Sequence, residues 1–225
     1  MSPPTPFARD VLVTGGTGYL GRPLSAALAD RGHRVRVLCR PGSSVRVAPS
    51  ARAIEGNALD ASSVRDARVA GATLVHLVGT PHPSPAKAAE FERVDLASIR
   101  ASVQSARDGG AAHLVYVSVA QPAPVMRAYI DVRRRGEEAI ADAGLTATIL
   151  RPWYVLGPGH RWPVVFLPVA RLLEWFPATR DTARRLGFVT LAQMVAALVR
   201  AVEAPPAPGD RRIVDVPAIR NEHAR

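Results

Sequence analysis

Apolar positions along this chain fall into two alternating rhythms. Val11-Leu12-Val13 is an unbroken apolar triplet, short enough for a strand buried on both faces. Leu20, Leu24 and Leu28 then recur at helical spacing, and Gly32 closes that helix. A second strand-like run, Val35 to Leu38, ends at Cys39-Arg40. The rhythm continues with a third strand and its exit over residues 52–60 and a fourth strand over 73–79. A helix covers roughly 86–108, a fifth strand His113 to Val117 and a sixth strand 147–150. Strands separated by helical patterns predict an α/β fold, a doubly wound parallel sheet. Asp60 with Ser62 and Ser63 reads as a helix start, as does Thr190 before LAQMVAALVRAV. RRIVDV, residues 211–216, predicts an added edge strand.

The turn between the first strand and the first helix carries the candidate chemistry. Its spelling is TGGTGYLG, with Gly15, Gly18 and Gly21 at spaced positions. Gly15 permits the tight turn, Gly18 clears space for a diphosphate, and Gly21 lets the helix approach the sheet. The backbone of Thr17, Tyr19 and Leu20 completes the cradle, and free N–H groups at the helix start hold the phosphates. No Gly-Lys-Ser/Thr follows, which excludes a Walker-type phosphate loop. The strand, turn, helix and strand together predict a dinucleotide-binding Rossmann unit. At the end of the second strand a dinucleotide's ribose is read. Arg40 stands there instead of an acid, so the expected cofactor is NADP(H), with NAD(H) as the other choice and Ser43 as an auxiliary.

Composition narrows the alternatives. The chain has 225 residues, suited to one α/β domain with a small appendage, and a formal net charge of +10. Its basic residues are spread through every segment, and Lys87 is the only lysine among the 29. No aromatic residues interleave with the Arg133-Arg134-Arg135 cluster, so no nucleic-acid partner is expected. The Pro-rich opening lacks a signal-peptide core, there is a single cysteine, and no run reaches the length of a membrane span. These features predict a cytoplasmic protein without a metal site. A small-molecule substrate is the expected partner, with a homodimer as an option.

The TGGTGYLG turn resembles that of the short-chain dehydrogenase/reductase superfamily, in its atypical and extended branches. Among these the chain looks nearest to the group holding the respiratory complex I accessory subunit and the NmrA-like regulators. The resemblance covers residues 9–160 and implies binding of NAD(H) or NADP(H). Asn57, with Ala58 beside it, matches the family's G-D-x-x-D stretch, whose first acid contacts adenine; Asn replaces that acid here. Ser118 matches the family's serine at the end of strand five, and Tyr129 matches its tyrosine. Arg133 stands where the family has lysine. In that scheme a tyrosine hydroxyl moves a proton to or from the substrate oxygen, a cation one helical turn away favours the phenolate, and a serine holds the carbonyl. Arg133 keeps the charge and can donate to the nicotinamide ribose, but it releases no proton near neutrality. Pro152 and Trp153, after strand six, match backbone that lies near the nicotinamide.

Remaining positions are read from their place. Val78, Gly79 and Thr80 leave strand four on the ligand side of the sheet and should run along the cofactor. His82, Tyr154 and His160 are candidate substrate contacts. His76, inside strand four, reads as a core histidine. The domains are 1–160, the dinucleotide-binding unit, and 161–225, a small C-terminal substrate or lid region packed on it. The apolar run 163–176 reads as a packed appendage, a lid, a dimer surface or a membrane-surface helix. Three functions follow. One is an NADP(H)-dependent oxidoreductase acting on a small or lipophilic carbonyl or alcohol. A second is a non-catalytic NAD(P)-binding sensor, and a third a membrane-associated quinone-linked protein.

Overall fold

Val11, Leu12 and Val13 divide between two cores. In a strand, neighbouring side chains point to opposite faces. Val11 and Val13 join one apolar cluster and Leu12 the other. A computed structural model describes residues 8–123, 125–158 and 186–221. Its central sheet has seven parallel strands in the order β3-β2-β1-β4-β5-β6-β9. These strands are β1 (Asp10–Thr14), β2 (Arg34–Cys39), β3 (Arg52–Glu55), β4 (Thr73–His76), β5 (His113–Val117), β6 (Ala147–Leu150) and β9 (Arg211–Val214). Two short strands, β7 (Tyr154–Leu156) and β8 (Phe188–Thr190), pair separately.

Helices cover both faces, as parallel strands require. On one side lie α1 (Gly21–Asp30), α6 (Leu191–Glu203) and α7 (Val216–Asn221). Leu24 and Leu28 of α1 meet Met194, Leu198 and Val202 of α6 in the cluster that holds Val11 and Val13. On the other side lie α2 (Ala61–Ala67), α4 (Ala97–Asp108) and α5 (Arg127–Asp142). Val64, Ile99, Val132 and Ile140 bury there against Leu12, Leu74 and Leu114. Each such apolar side chain contributes about 1.5–3 kcal/mol by leaving water. The predicted helix over 86–108 is broken up: a 3₁₀ turn at Pro85–Lys87, α3 (Ala88–Glu90), a π-helical turn at Phe91–Leu96, then α4.

Local signals set the ends. Asp60 caps α2 by accepting from the N–H groups of Ser62 and Ser63. Thr190 and Gln193 form a reciprocal cap on α6. β9 extends the main sheet beyond β6, so residues from both predicted regions share one sheet. Strand order reverses between β1 and β4, which opens a crevice at their C-terminal ends.

Candidate cofactor and active site

The glycine turn lies at that crevice. Gly15 has φ +75°, and a Cβ there would sit 2.7 Å from the carbonyl carbon of Leu77. Only glycine accepts that backbone beside the exit of β4. A Cβ on Gly21 would sit 2.3 Å from the Gly15 carbonyl oxygen, so the start of α1 rests directly on the turn. Gly18 is exposed, and its N–H donates to the Gly15 carbonyl at 3.0 Å. α1 begins with neither a side-chain cap nor an acidic residue in its first turn. The Arg22 and Leu24 N–H groups donate to the Gly18 and Leu20 carbonyls and Pro23 has none, so it is the positive end of the helix and the backbone of the turn itself that suit a diphosphate. Gly16 is a further requirement that spacing alone misses: its Cβ would lie 2.5 Å from Val37.

Arg40 follows β2 directly and is exposed; its carbonyl accepts from the Ser43 N–H at 2.9 Å, and its side chain has no hydrogen bond or ion pair among the described residues. Ser43 is buried, and its hydroxyl accepts from Arg46 Nη2 at 3.0 Å. Arg46 thus joins this corner, though the strand-end pattern does not reach it. The Asn57 side-chain oxygen accepts from the Leu59 N–H at 3.0 Å, which leaves its amide nitrogen to reach outward. Ala58 packs at the edge of the core shared by α2, α4 and α5.

Tyr129 and Arg133 share one face of α5, as i and i+4 predict. The Arg133 guanidinium carbon lies 5.1 Å from the Tyr129 ring centre and 5.8 Å from that of Tyr116. Phe91 meets Tyr129 edge-on at 5.1 Å between centres. Arg133 is buried. Its Nη2 donates to Asp95 Oδ1 at 2.6 Å and its Nη1 to the Val117 carbonyl at 3.0 Å. Asp95 uses its other oxygen to accept from the N–H of Thr80 at 2.9 Å and its hydroxyl at 2.7 Å. Arg133 Nε has no hydrogen-bond partner among the described residues. Burial opposes the Arg133 charge, but the two phenols and the Asp95 carboxylate outweigh it and hold its pKa above the ordinary guanidinium range. Burial pushes the Tyr116 phenol up to about 12, so it stays neutral.

These bonds give two of the predicted cofactor residues inward partners. Arg133, expected at the nicotinamide ribose, and Thr80, expected along the cofactor, direct polar atoms at Asp95. Gly79 covers the guanidinium closely: a Cβ there would lie 2.4 Å from Arg133 Nη2. Val78 is half-buried beside it. Ser118, expected to hold a substrate carbonyl, donates its hydroxyl to Glu137 Oε1 at 2.5 Å. Glu137 also accepts from Gln121 Nε2 at 2.9 Å and from Arg151 through Nε at 3.0 Å and Nη2. Asp95, Glu137 and Arg151 are the residues that pattern reading misses; the signal was a charge set among buried positions of its helix or at the end of a buried strand.

Other predicted positions lie around this centre. His76 is wholly buried, and burial lowers its pKa to about 3. Its neutral ring meets Thr14 and Ser102 through Nδ1 at 3.1 and 2.9 Å and Ser98 through Nε2 at 3.3 Å, which ties β1, β4 and α4 together. His82 is exposed on the loop after β4, with φ +48°. The Pro152 carbonyl accepts from the Ala120 N–H at 2.9 Å, and Trp153 packs half-buried against the core under α1. Tyr154 opens β7 and meets Phe188 edge-on at 6.1 Å. His160 and residues 163–176 lie outside the described residues.

A family model described as NAD(P)H-binding matches residues 15–161. The chain belongs to this NAD(P)H-binding family. It is similar to the ceramide reductase of Caulobacter vibrioides, 32% identical over 179 residues, covering 77% of this chain and 55% of the relative. It is also similar to the chloroplastic divinyl chlorophyllide a 8-vinyl-reductase of Oryza sativa subsp. indica. There it is 34% identical over 165 residues, covering 65% of this chain and 40% of the relative. The chain thus spans about half the length of these curated relatives. A short-chain dehydrogenase/reductase superfamily protein from Agrobacterium tumefaciens, solved with bound NAD, has the same fold. Its TM-score is 0.65 at 19% identity, over 91% of this chain and 76% of that one. The protein therefore has the Rossmann fold of that structure. Among the described residues no helix is long and apolar enough to cross a membrane.

Proposed function

We propose that the protein is an NADP(H)-dependent oxidoreductase acting on a small or lipophilic carbonyl or alcohol. One observation carries this reading. Tyr129 stands one helical turn from Arg133, beside the C-terminal ends of strands whose first turn fits a dinucleotide. The turn from Gly15 to Gly21 would hold the diphosphate, Arg40 a 2′-phosphate, and Asn57 the adenine. When bound, the nicotinamide supplies or accepts a hydride. The Tyr129 hydroxyl exchanges a proton with the substrate oxygen. Arg133 keeps a positive charge under the Tyr129 ring, and Asp95 fixes it there and ties it to Thr80. For Ser118 to hold a carbonyl, its proton must leave Glu137. The names of the relatives, a ceramide reductase and a vinyl-reductase, support reduction as the working direction.

The test is Tyr129→Phe, assayed by loss of NADPH absorbance against a panel of aldehydes and ketones. The expected result is turnover reduced by a factor of about 100 or more with cofactor affinity unchanged. Equal turnover would remove Tyr129 from the chemistry.

A second reading, a non-catalytic NAD(P)-binding sensor, is favoured by the same bonds. Arg133 is neutralised by Asp95, and Ser118 is committed to Glu137. Tight NADPH binding with no turnover of any panel member would support it. The quinone-linked reading rests on residues 163–176 alone.

A further inference from the structure

A cleft of about 640 Å³ opens beside the first turns of α5, and neither proposed function uses it. Its walls come from Gln121 after β5, from Arg127, Ile130, Asp131 and Arg134 of α5, and from Arg151 after β6. Those strand exits lie on the ligand side of a parallel sheet. Tyr129 faces the other side of α5, toward Phe91 and Arg133. The cleft instead adjoins Ser118, because its Gln121 and Arg151 both donate to Glu137, the carboxylate that accepts from the Ser118 hydroxyl.

The charges in this cleft are not equivalent. Asp131 is matched by Arg134 at 2.6 Å, and Arg134 also reaches Glu138. Arg151 is held by Glu137, whose side chain is only 9% exposed. That carboxylate takes Arg151 Nε and Nη2, so the guanidinium is fixed with Nη1 carrying no hydrogen bond among the described residues. The Arg127 side chain has no hydrogen bond or ion pair among the described residues. Two cationic donors, one held rigidly and one without a side-chain partner among the described residues, therefore flank a wall that includes the apolar Ile130. A fixed guanidinium loses little freedom when it takes an oxyanion.

We propose that this cleft is a subsite for the oxyanion of an amphiphilic substrate, a carboxylate or a phosphate ester, with Arg127 and Arg151 as its anchors and Ile130 against the chain. The assignment rests on the oxidoreductase reading and names a substrate class for a cleft that adjoins its Ser118. The chain's net charge of +10 would add long-range attraction for such a substrate.

The test measures binding, without turnover. Octanoate, octyl phosphate and octan-1-ol are titrated calorimetrically into the full chain saturated with NADPH. One or both anions should bind at least about tenfold more tightly than the alcohol, and more weakly as salt rises. The tighter of the two identifies the headgroup. Arg127→Gln removes an exposed side chain and should weaken the anions about tenfold while leaving the alcohol unchanged. Arg151→Lys keeps the charge but not the fork and should also weaken them. Equal affinity for all three probes, no binding of any, or an unchanged Arg127→Gln variant would overturn the assignment. Failure of NADPH itself to bind would overturn the oxidoreductase reading instead, and the titrations repeated without cofactor would still judge the cleft.

Discussion

Arg133 and Asp95 lie 38 residues apart in sequence and meet at 2.6 Å in the interior, with side chains 7% and 0% exposed. Neither charge would be tolerable there alone. Asp95→Ala should therefore cost about 3–5 kcal/mol in urea unfolding, because it leaves a guanidinium buried without a counter-charge. The double variant Asp95→Ala/Arg133→Met should recover part of that loss. A single-variant cost below about 1 kcal/mol would mean that water reaches the arginine.

Two glycines of the turn, one exposed and one buried, separate cleanly. A Cβ on Gly18 has one close neighbour, the Gly15 carbonyl oxygen at 3.2 Å, whereas one on Gly21 would overlap that oxygen at 2.3 Å. Gly18→Ala is expected to fold with a loss within about 1 kcal/mol and yet bind NADPH at least about tenfold more weakly. Gly21→Ala should lose about 1–3 kcal/mol of stability as well. Thermal unfolding with calorimetric titration checks both; wild-type affinity in Gly18→Ala would place the diphosphate elsewhere.

Arg40→Asp addresses the choice of dinucleotide. Removing this exposed guanidinium should reduce NADPH affinity about tenfold or more while leaving NADH affinity equal or improved. Parallel titrations decide it. Arg46, bonded to Ser43 beside it, should show a smaller change in the same direction.

Two buried histidines set an acid limit on the fold. Burial lowers His76 to about 3 and His113 to about 4, against an ordinary value of 6.5. The unfolded chain therefore takes up protons that the folded chain refuses, and stability falls as pH drops below about 6.5. At about pH 5 each histidine should contribute a loss on the order of 2 kcal/mol, levelling off near its folded value. His76→Gln should flatten the slope measured by urea titration; an unchanged slope would show that other groups govern acid unfolding.

Local chemistry made part of this molecule legible. β5 and β6 follow directly from short apolar runs, and the glycine turn from its spelling, since both depend on neighbours a few residues apart. Tyr129 and Arg133 share a face for the same reason. Asp95 and Glu137 were not legible, because each reads as one more polar helical position. Their meaning comes from partners on other elements: Arg133 and Thr80 for Asp95, and Ser118 and Arg151 for Glu137. The π-helical turn at Phe91–Leu96 was hidden likewise, because an ordinary helical period describes that stretch well enough.

The reciprocal cap of Thr190 and Gln193 starts a helix whose Met194, Leu198 and Val202 close over Leu24 and Leu28 of α1. A chain cut after Pro158 would expose that oily flank and lose the seventh strand, although every glycine of the nucleotide turn would still be present. The C-terminal helix thus buttresses the helix that follows the glycines, and damage far from the turn should register as a loosened α1.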